Sequence, residues 1–401
     1  MTPVFEAPMQ YPQRFSNLPE YAFPRLRSLL DAHAPGGTPV HMTIGEPRHA
    51  FPAWITDVIA EHAAGFGKYP PNDGAPELLE AITGWVQRRY GVALDAASQV
   101  MALNGTREGL FNSAIALCPE TKNGKTPVIL TPNPFYQVYA VAALAVGAEP
   151  VYVPATAATG FLPDYAALPR DVLNRTTIAY LCSPSNPQGA VATFDYWRDL
   201  IALAERHDFR IFADECYSEV YRNDAPVGAL QVAQEMGADP DRVVVFHSLS
   251  KRSNLPGLRS GFLASGAGNL KALKQLRNYT GAPLPLPLQM AAAAVWNDET
   301  HVKESRARYR GKFDIADKVF AGIQGCGAPE AGFFLWLPVE DGEAATVKLW
   351  RETGVRVLPG AYLSRDVDGQ NPGHGYIRAA LVAPEQEMQR GLEQLRDCLF
   401  T

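Results

Sequence analysis

Short apolar runs recur along this chain at Val128–Leu130, Val151–Val153, Ile178–Cys182, Ile211–Ala213, Val243–Phe246 and Gly261–Ala264. Each has the length of a strand, and the β-branched ones read as strands buried on both faces. Helical patterns lie between several of them, as at Phe194–His207. Ahead of them, Glu77–Tyr90 carries Leu78, Leu79, Ile82, Trp85 and Val86 on one helical face. Strand and helix in alternation point to an α/β fold, an open and mostly parallel sheet covered on both sides. Such sheets hold their ligands at the carboxyl ends of the strands.

The texture changes after about Gln289. A long helical stretch, His301–Ile323, leads to the run Gly332–Leu337, then a helix, the run Val355–Leu358, the run Tyr376–Leu381 and a last helix from Pro384. Separated strands and helices of this kind fit a smaller α+β domain. Three parts are expected: residues 1–45 as an arm and part of the small domain, with a short helix near Ala22–His33, 46–288 as the large α/β domain, and 289–401 as the small domain. Ala282-Pro283-Leu284-Pro285-Leu286-Pro287 reads as a connecting loop between helices.

Composition excludes several classes. The 401 residues are 47% apolar, ample for a large core, and their net charge of −6 offers no basic footprint for nucleic acid. No stretch approaches the roughly 18 apolar residues of a membrane span. The start Met1–Pro8 lacks a charged and then apolar leader. Five scattered cysteines, with no Cys-x-x-Cys, fit reduced thiols in the cytoplasm. The eight histidines form no closely spaced pair, which leaves a metal site without support.

Chemistry-bearing residues cluster where the strands end. Ser248-Leu249-Ser250-Lys251, followed by Arg259, delivers a hydroxyl, an amine and a guanidinium after the run Val243–Phe246. A lysine is ordinarily a solvated charge, but this combination suits a Schiff base to an aldehyde cofactor whose phosphate is gripped by Ser and Arg. Asn104-Gly105-Thr106-Arg107 precedes an apolar helix, and its first-turn amides are either a plain cap or a phosphate site. Tyr136, past Val128–Leu130, either packs under a helix or stacks on a flat ring. Asn186 sits in a rigid Pro/Gly turn and could aim its amide at a phenolic oxygen. Asp214 ends a buried strand, where a carboxylate is costly unless paired; it is a helix cap or the partner of a pyridinium N–H. Tyr217 follows it. Arg378 is a surface charge or a carboxylate clamp.

In this order and spacing the chain resembles the fold-type I pyridoxal-phosphate aminotransferases of class I/II over essentially its whole length. Ile44-Gly45-Glu46-Pro47 and Lys68-Tyr69-Pro70-Pro71-Asn72-Asp73-Gly74 belong to the match. The resemblance implies the aspartate-aminotransferase-like fold, with a mostly parallel large domain and a smaller α+β domain, and pyridoxal 5′-phosphate as cofactor. It implies that Lys251 anchors the cofactor and shuttles the proton, that Asp214 pairs the ring nitrogen, and that Asn186 and Tyr217 bond the ring oxygen. Tyr136 would stack on the ring. Gly105, the backbone of Thr106 and Arg107, Ser248 and Arg259 would hold the phosphate. Arg378, with Asn186 and the backbone of Gly45, would bind the substrate carboxylate. Tyr69 would reach the neighbouring subunit's phosphate, making the protein a homodimer with shared sites.

Finer similarity runs to the proteobacterial N-succinyl-LL-diaminopimelate aminotransferases of lysine biosynthesis. Ile44–His49, Asn133–Tyr139, Asp214–Tyr221, Ser248–Gly261 and Trp296–Glu299 carry it. The chain departs from them at Gly281–Pro285, Ser185 and Gln188. The resemblance thus implies transfer between N-succinyl-LL-2,6-diaminopimelate and 2-oxoglutarate. Alternatives are transamination of aspartate, alanine or aromatic amino acids, or β-elimination by a carbon–sulfur lyase. The long dicarboxylate would need a second cation, and Arg48, Lys68 and Arg252 are the candidates by position.

Overall fold

In the computed structural model, which describes residues 11–400, seven strands form the main sheet: β1 (Val100–Leu103), β2 (Val128–Asn133), β3 (Glu149–Pro154), β4 (Thr176–Cys182), β5 (Arg210–Asp214), β6 (Val243–Ser248) and β7 (Gly261–Ala264). The expectation about the first residues of the arm and the absence of a leader there lies outside the described residues. The sheet order is β1-β7-β6-β5-β4-β2-β3. Every pairing is parallel except the two made by β7. Strands β2, β4 and β6 are buried at every residue, as their unbroken apolar runs require when helices cover both faces.

Strand β1 has no counterpart among the expected runs. Its sequence Val-Met-Ala-Leu carries a single β-branched residue and no alternation, so the segment is specified by its pairing with β7 and not by local propensity. That pairing matters for the site. Gly261 opens β7 opposite Leu103 on one side and Ser248 on the other, so the carboxyl ends of β1 and β6 flank one point. A Cβ at Gly261 would sit 2.6 Å from the carbonyl oxygen of His247, which makes glycine necessary for this close approach.

A smaller sheet contains β8 (Phe334–Pro338), β9 (Leu358–Pro359) and β10 (Tyr376–Ala380), all antiparallel with β10 central. Helices Thr300–Val319, Gly342–Thr353 and Glu385–Leu399 accompany it. The run Val355–Leu358, expected as one strand, is divided. Val355–Arg356 pairs in parallel with Val40–His41, and the chain then changes partners at Val357 to enter the antiparallel sheet. Val40 and Met42 are buried in the core of this small unit, and helix Ala22–Leu30 packs on Trp350 and Leu358.

Helix Leu286–Asn297 corrects the expected division at residue 288. Ala291, Val295 and Trp296 are buried in the cluster beneath the large sheet, against Leu78, Ile82 and Trp85 of helix Pro76–Tyr90. Packing therefore assigns it to the large unit, and the texture change read from sequence marks an Ala-rich buried helix and not a boundary. No helix among the described residues is long and apolar enough to cross a membrane.

Candidate active site

The carboxyl ends of β1, β4, β5 and β6 open into one cavity of about 280 Å³, closed on the other side by the small unit and by the arm. Eleven of the thirteen residues expected from the sequence line it: Gly45, Thr106, Arg107, Tyr136, Asn186, Asp214, Tyr217, Ser248, Lys251, Arg259 and Arg378. Gly105 lies just behind the wall, and Tyr69 is fully exposed outside it.

Lys251 sits in the short helical turn Leu249–Arg252 directly after β6, begun by Ser248, whose Oγ accepts the Ser250 amide at 3.1 Å. Its Nζ donates to the carbonyl oxygen of Gly45. Burial lowers the pKa of Lys251 to about 8, with Arg378 and Arg259 acting in the same direction and Cys216 and Glu46 opposing. The lysine is therefore no surface charge.

Asp214 ends β5 with only 5% of its surface exposed and no ion pair among the described residues. Tyr139 donates its hydroxyl to Oδ2 at 2.7 Å, and the Cys216 amide approaches Oδ1 at 3.4 Å. Burial raises the carboxyl pKa, and these hydrogen bonds pull it back down. Tyr139 was not legible as a site residue. It stands one helical turn after Tyr136, stacked on Tyr180 with ring centroids 4.5 Å apart, and only the fold brings it to Asp214.

The phosphate-type pocket lies where β1 and β6 flank Gly261. Helix Thr106–Leu117 begins there with no side-chain cap, leaving first-turn amides to a ligand. Gly105 has φ +79°, and a Cβ on it would lie 2.2 Å from Arg259 Nη2. Backbone and guanidinium thus form a fitted cradle. The Ser248 hydroxyl donates to Ser250 Oγ at 3.0 Å, which leaves the Ser250 hydroxyl as a further donor at the wall. Ser250 was another omission of the sequence reading.

Arg378, on the central strand β10, is buried and lies 4.1 Å over the Phe334 ring. It donates from Nη1 to Asn186 Oδ1 at 2.9 Å and from Nη2 to the Thr43 carbonyl at 2.7 Å, while its Nε has no hydrogen-bond partner among the described residues. Burial lowers its pKa to about 10, so it stays a cation at neutral pH. Accepting at its oxygen leaves the Asn186 amide N–H groups free to donate. Burial also raises the Tyr217 pKa well above the ordinary phenol value, which keeps it a neutral donor.

The second-cation candidates fare differently. Arg252 is buried between Trp85 and Trp296 and spends its donors on Val295, Asp298 and Glu299, away from the cavity. Arg48 pairs with Glu387 at 2.9 Å outside it, and Lys68 does not line it. Besides Lys251, Arg259 and Arg378, Arg107 lines it, and its Nε donates to Tyr136 Oη at 2.7 Å. The sequence reading had used this residue for its backbone only.

A buried unpaired carboxylate, a lysine made basic near neutrality and an uncapped helix end beside an arginine define a site for an aldehyde cofactor with a ring nitrogen and a phosphate. The chain belongs to the aminotransferase class I and II family, whose model matches residues 38–395. It is a pyridoxal-phosphate-dependent aminotransferase. An aminotransferase of Neisseria meningitidis is similar in structure, with a TM-score of 0.92 and 37% identity over 96% of this chain and 99% of that one. One of Helicobacter pylori has a TM-score of 0.88 and 33% identity over 95% and 98%. The LL-diaminopimelate aminotransferase of Dehalococcoides mccartyi is 31% identical over 96% of this chain and 98% of its own length.

Proposed function

We propose that the protein exchanges an amino group between glutamate and the keto form of a diaminopimelate, with the N-succinylated compound as its substrate in cytoplasmic lysine biosynthesis. The observation that carries a long dicarboxylate is the pair of guanidinium groups, Arg378 and Arg107, set on different elements around the cavity of Lys251. Arg378 would hold the carboxylate beside the reacting carbon and Arg107 the distant one, each by charge-assisted hydrogen bonds. The name carried by the Dehalococcoides mccartyi relative favours a second reading, in which the unacylated LL-diaminopimelate is used.

Bound pyridoxal phosphate supplies a carbonyl that condenses with amines and a ring that takes up electron density from the amino-bearing carbon. The residues do the rest. Asp214 would keep a proton on the ring nitrogen, and Tyr139 fixes that carboxylate. Asn186 and Tyr217 would donate to the ring oxygen, and the Tyr136 ring would cover one face. Arg259, the Ser250 hydroxyl and the amides after Gly105 would hold the phosphate, with Ser248 orienting the Ser250 hydroxyl. Lys251 would anchor the cofactor and, as a free amine, would hold and move the proton at the substrate's Cα. A lysine at the ordinary value near 10.4 would be a poor base at neutral pH; one at about 8 is suited to it.

The test is to load the protein with cofactor and glutamate, then challenge it with keto acids and semialdehydes and follow return of the visible cofactor band. N-succinyl-2-amino-6-oxopimelate is expected to restore it fastest. Preference for its unacylated counterpart would select the second reading, and preference for oxaloacetate, pyruvate or an aromatic keto acid would overturn both. Pyruvate release without any acceptor would mark a lyase. Lys251→Ala should abolish the exchange and the protein-bound chromophore, and normal turnover by that variant would refute the assignment of the lysine.

A further inference from the structure

A second cavity, of about 370 Å³, adjoins the first across the backbone segment Thr43–Glu46. Phe23 and Ile44 line both. The Thr43 carbonyl that accepts Arg378 Nη2 belongs to a residue in the wall of the second. One thickness of chain therefore separates this cavity from the carboxylate clamp of the first, and the shared rim is apolar.

Its walls are basic. Arg27, His41, Arg48 and Arg356 face it, against Glu46 and Glu387. Arg48 is neutralised by Glu387 at 2.9 Å. The others are poorly compensated: Arg27 makes no ion pair among the described residues, and Arg356 reaches only Asp31, at 3.9 Å. His41 and Arg356 are register partners in the two-stranded pair, which sets an imidazole beside a guanidinium. Leu26 and Val382 complete an apolar floor on which methylene groups could rest.

We propose that this cavity receives the terminal carboxylate of the substrate's succinyl arm, with Arg27 and Arg356 as its cations and the rim of Phe23 and Ile44 as the path of the methylenes. The proposal rests on the succinylated reading above. It accounts for three carboxylates with three separate cationic sites: Arg378, Arg107 and this cavity.

Steady-state kinetics test it, with N-succinyl-LL-diaminopimelate and glutamate as alternative amino donors. Arg27→Ala and Arg356→Gln should each raise the ratio of the succinylated donor's KM to that of glutamate about ten-fold, and Arg27→Glu by more. Arg27 is exposed on its helix, so its variants keep the fold even where Arg356→Gln disturbs packing on Trp350. If the wild type uses the succinylated donor and Arg27→Glu leaves the ratio unmoved, the cavity assignment fails while the substrate reading stands. If the wild type rejects the succinylated donor, both fall.

Discussion

Lys251 changes character between sequence and structure more than any other residue. On a surface it would hold its proton to pH values where few enzymes work; behind Gly45 and beneath Phe333, burial brings it to about 8. The neutral amine is the nucleophile and the ammonium is not, so the reactive fraction grows as pH rises through that value. Uptake of pyridoxal phosphate by the cofactor-free protein should therefore accelerate with pH, with an apparent pKa of about 8. Stopped-flow absorbance would check this, and a rate still climbing at about pH 10 would return the lysine to its unperturbed value. Types and positions of most site residues could be read from the chain because they end or follow a strand, as Asp214, Ser248 and Lys251 do, or lie on one, as Arg378 does. Their partners could not: Tyr139 on Asp214, and Ser250 beyond Ser248, depend on distances between segments remote in sequence or on the turn of a short helix.

Among the elements, helix Leu286–Asn297 illustrates how a charge in a motif acquires a structural task. Arg252 follows the site lysine, yet its guanidinium turns away and donates to the carbonyls of Val295 and Asp298 at that helix's end. Arginine there satisfies the last carbonyls and complements the helix dipole. Its other partner, Glu299, is partly exposed and would not be stranded by loss of the cation. Arg252→Met should thus destabilise the protein by about 2–4 kcal/mol through lost donors and packing. The KM for glutamate should stay unchanged. Denaturant midpoints with kinetics would check it, and a raised KM at full stability would restore Arg252 as a substrate cation. Strand β1 makes the complementary point, since four residues without strand propensity become a strand because β7 offers them an edge.

For the molecule as a whole, Tyr69 is the residue the single chain leaves unused. It is fully exposed and outside the cavity, as a side chain that serves a second subunit's site would be. Mixing Lys251→Ala with Tyr69→Ala chains under conditions of subunit exchange should restore about a quarter of wild-type activity, because only one kind of site in the mixed dimer is intact. No recovery, with exchange verified by labelled chains, would make each site self-contained.

The sequence by itself determined six of the sheet's seven strands, the residue types at their ends and the order of those motifs, because periodicity and strand-end chemistry are local. Tertiary structure alone decided which groups meet. It set β1 beside β7, carried helix Leu286–Asn297 into the large core, put Arg107 in the cavity wall and buried Arg252 between Trp85 and Trp296, and laid a basic cavity against the Thr43–Glu46 segment. Those outcomes depend on burial and on contacts between distant segments, which shift pKa values and orient side chains in ways no local pattern encodes.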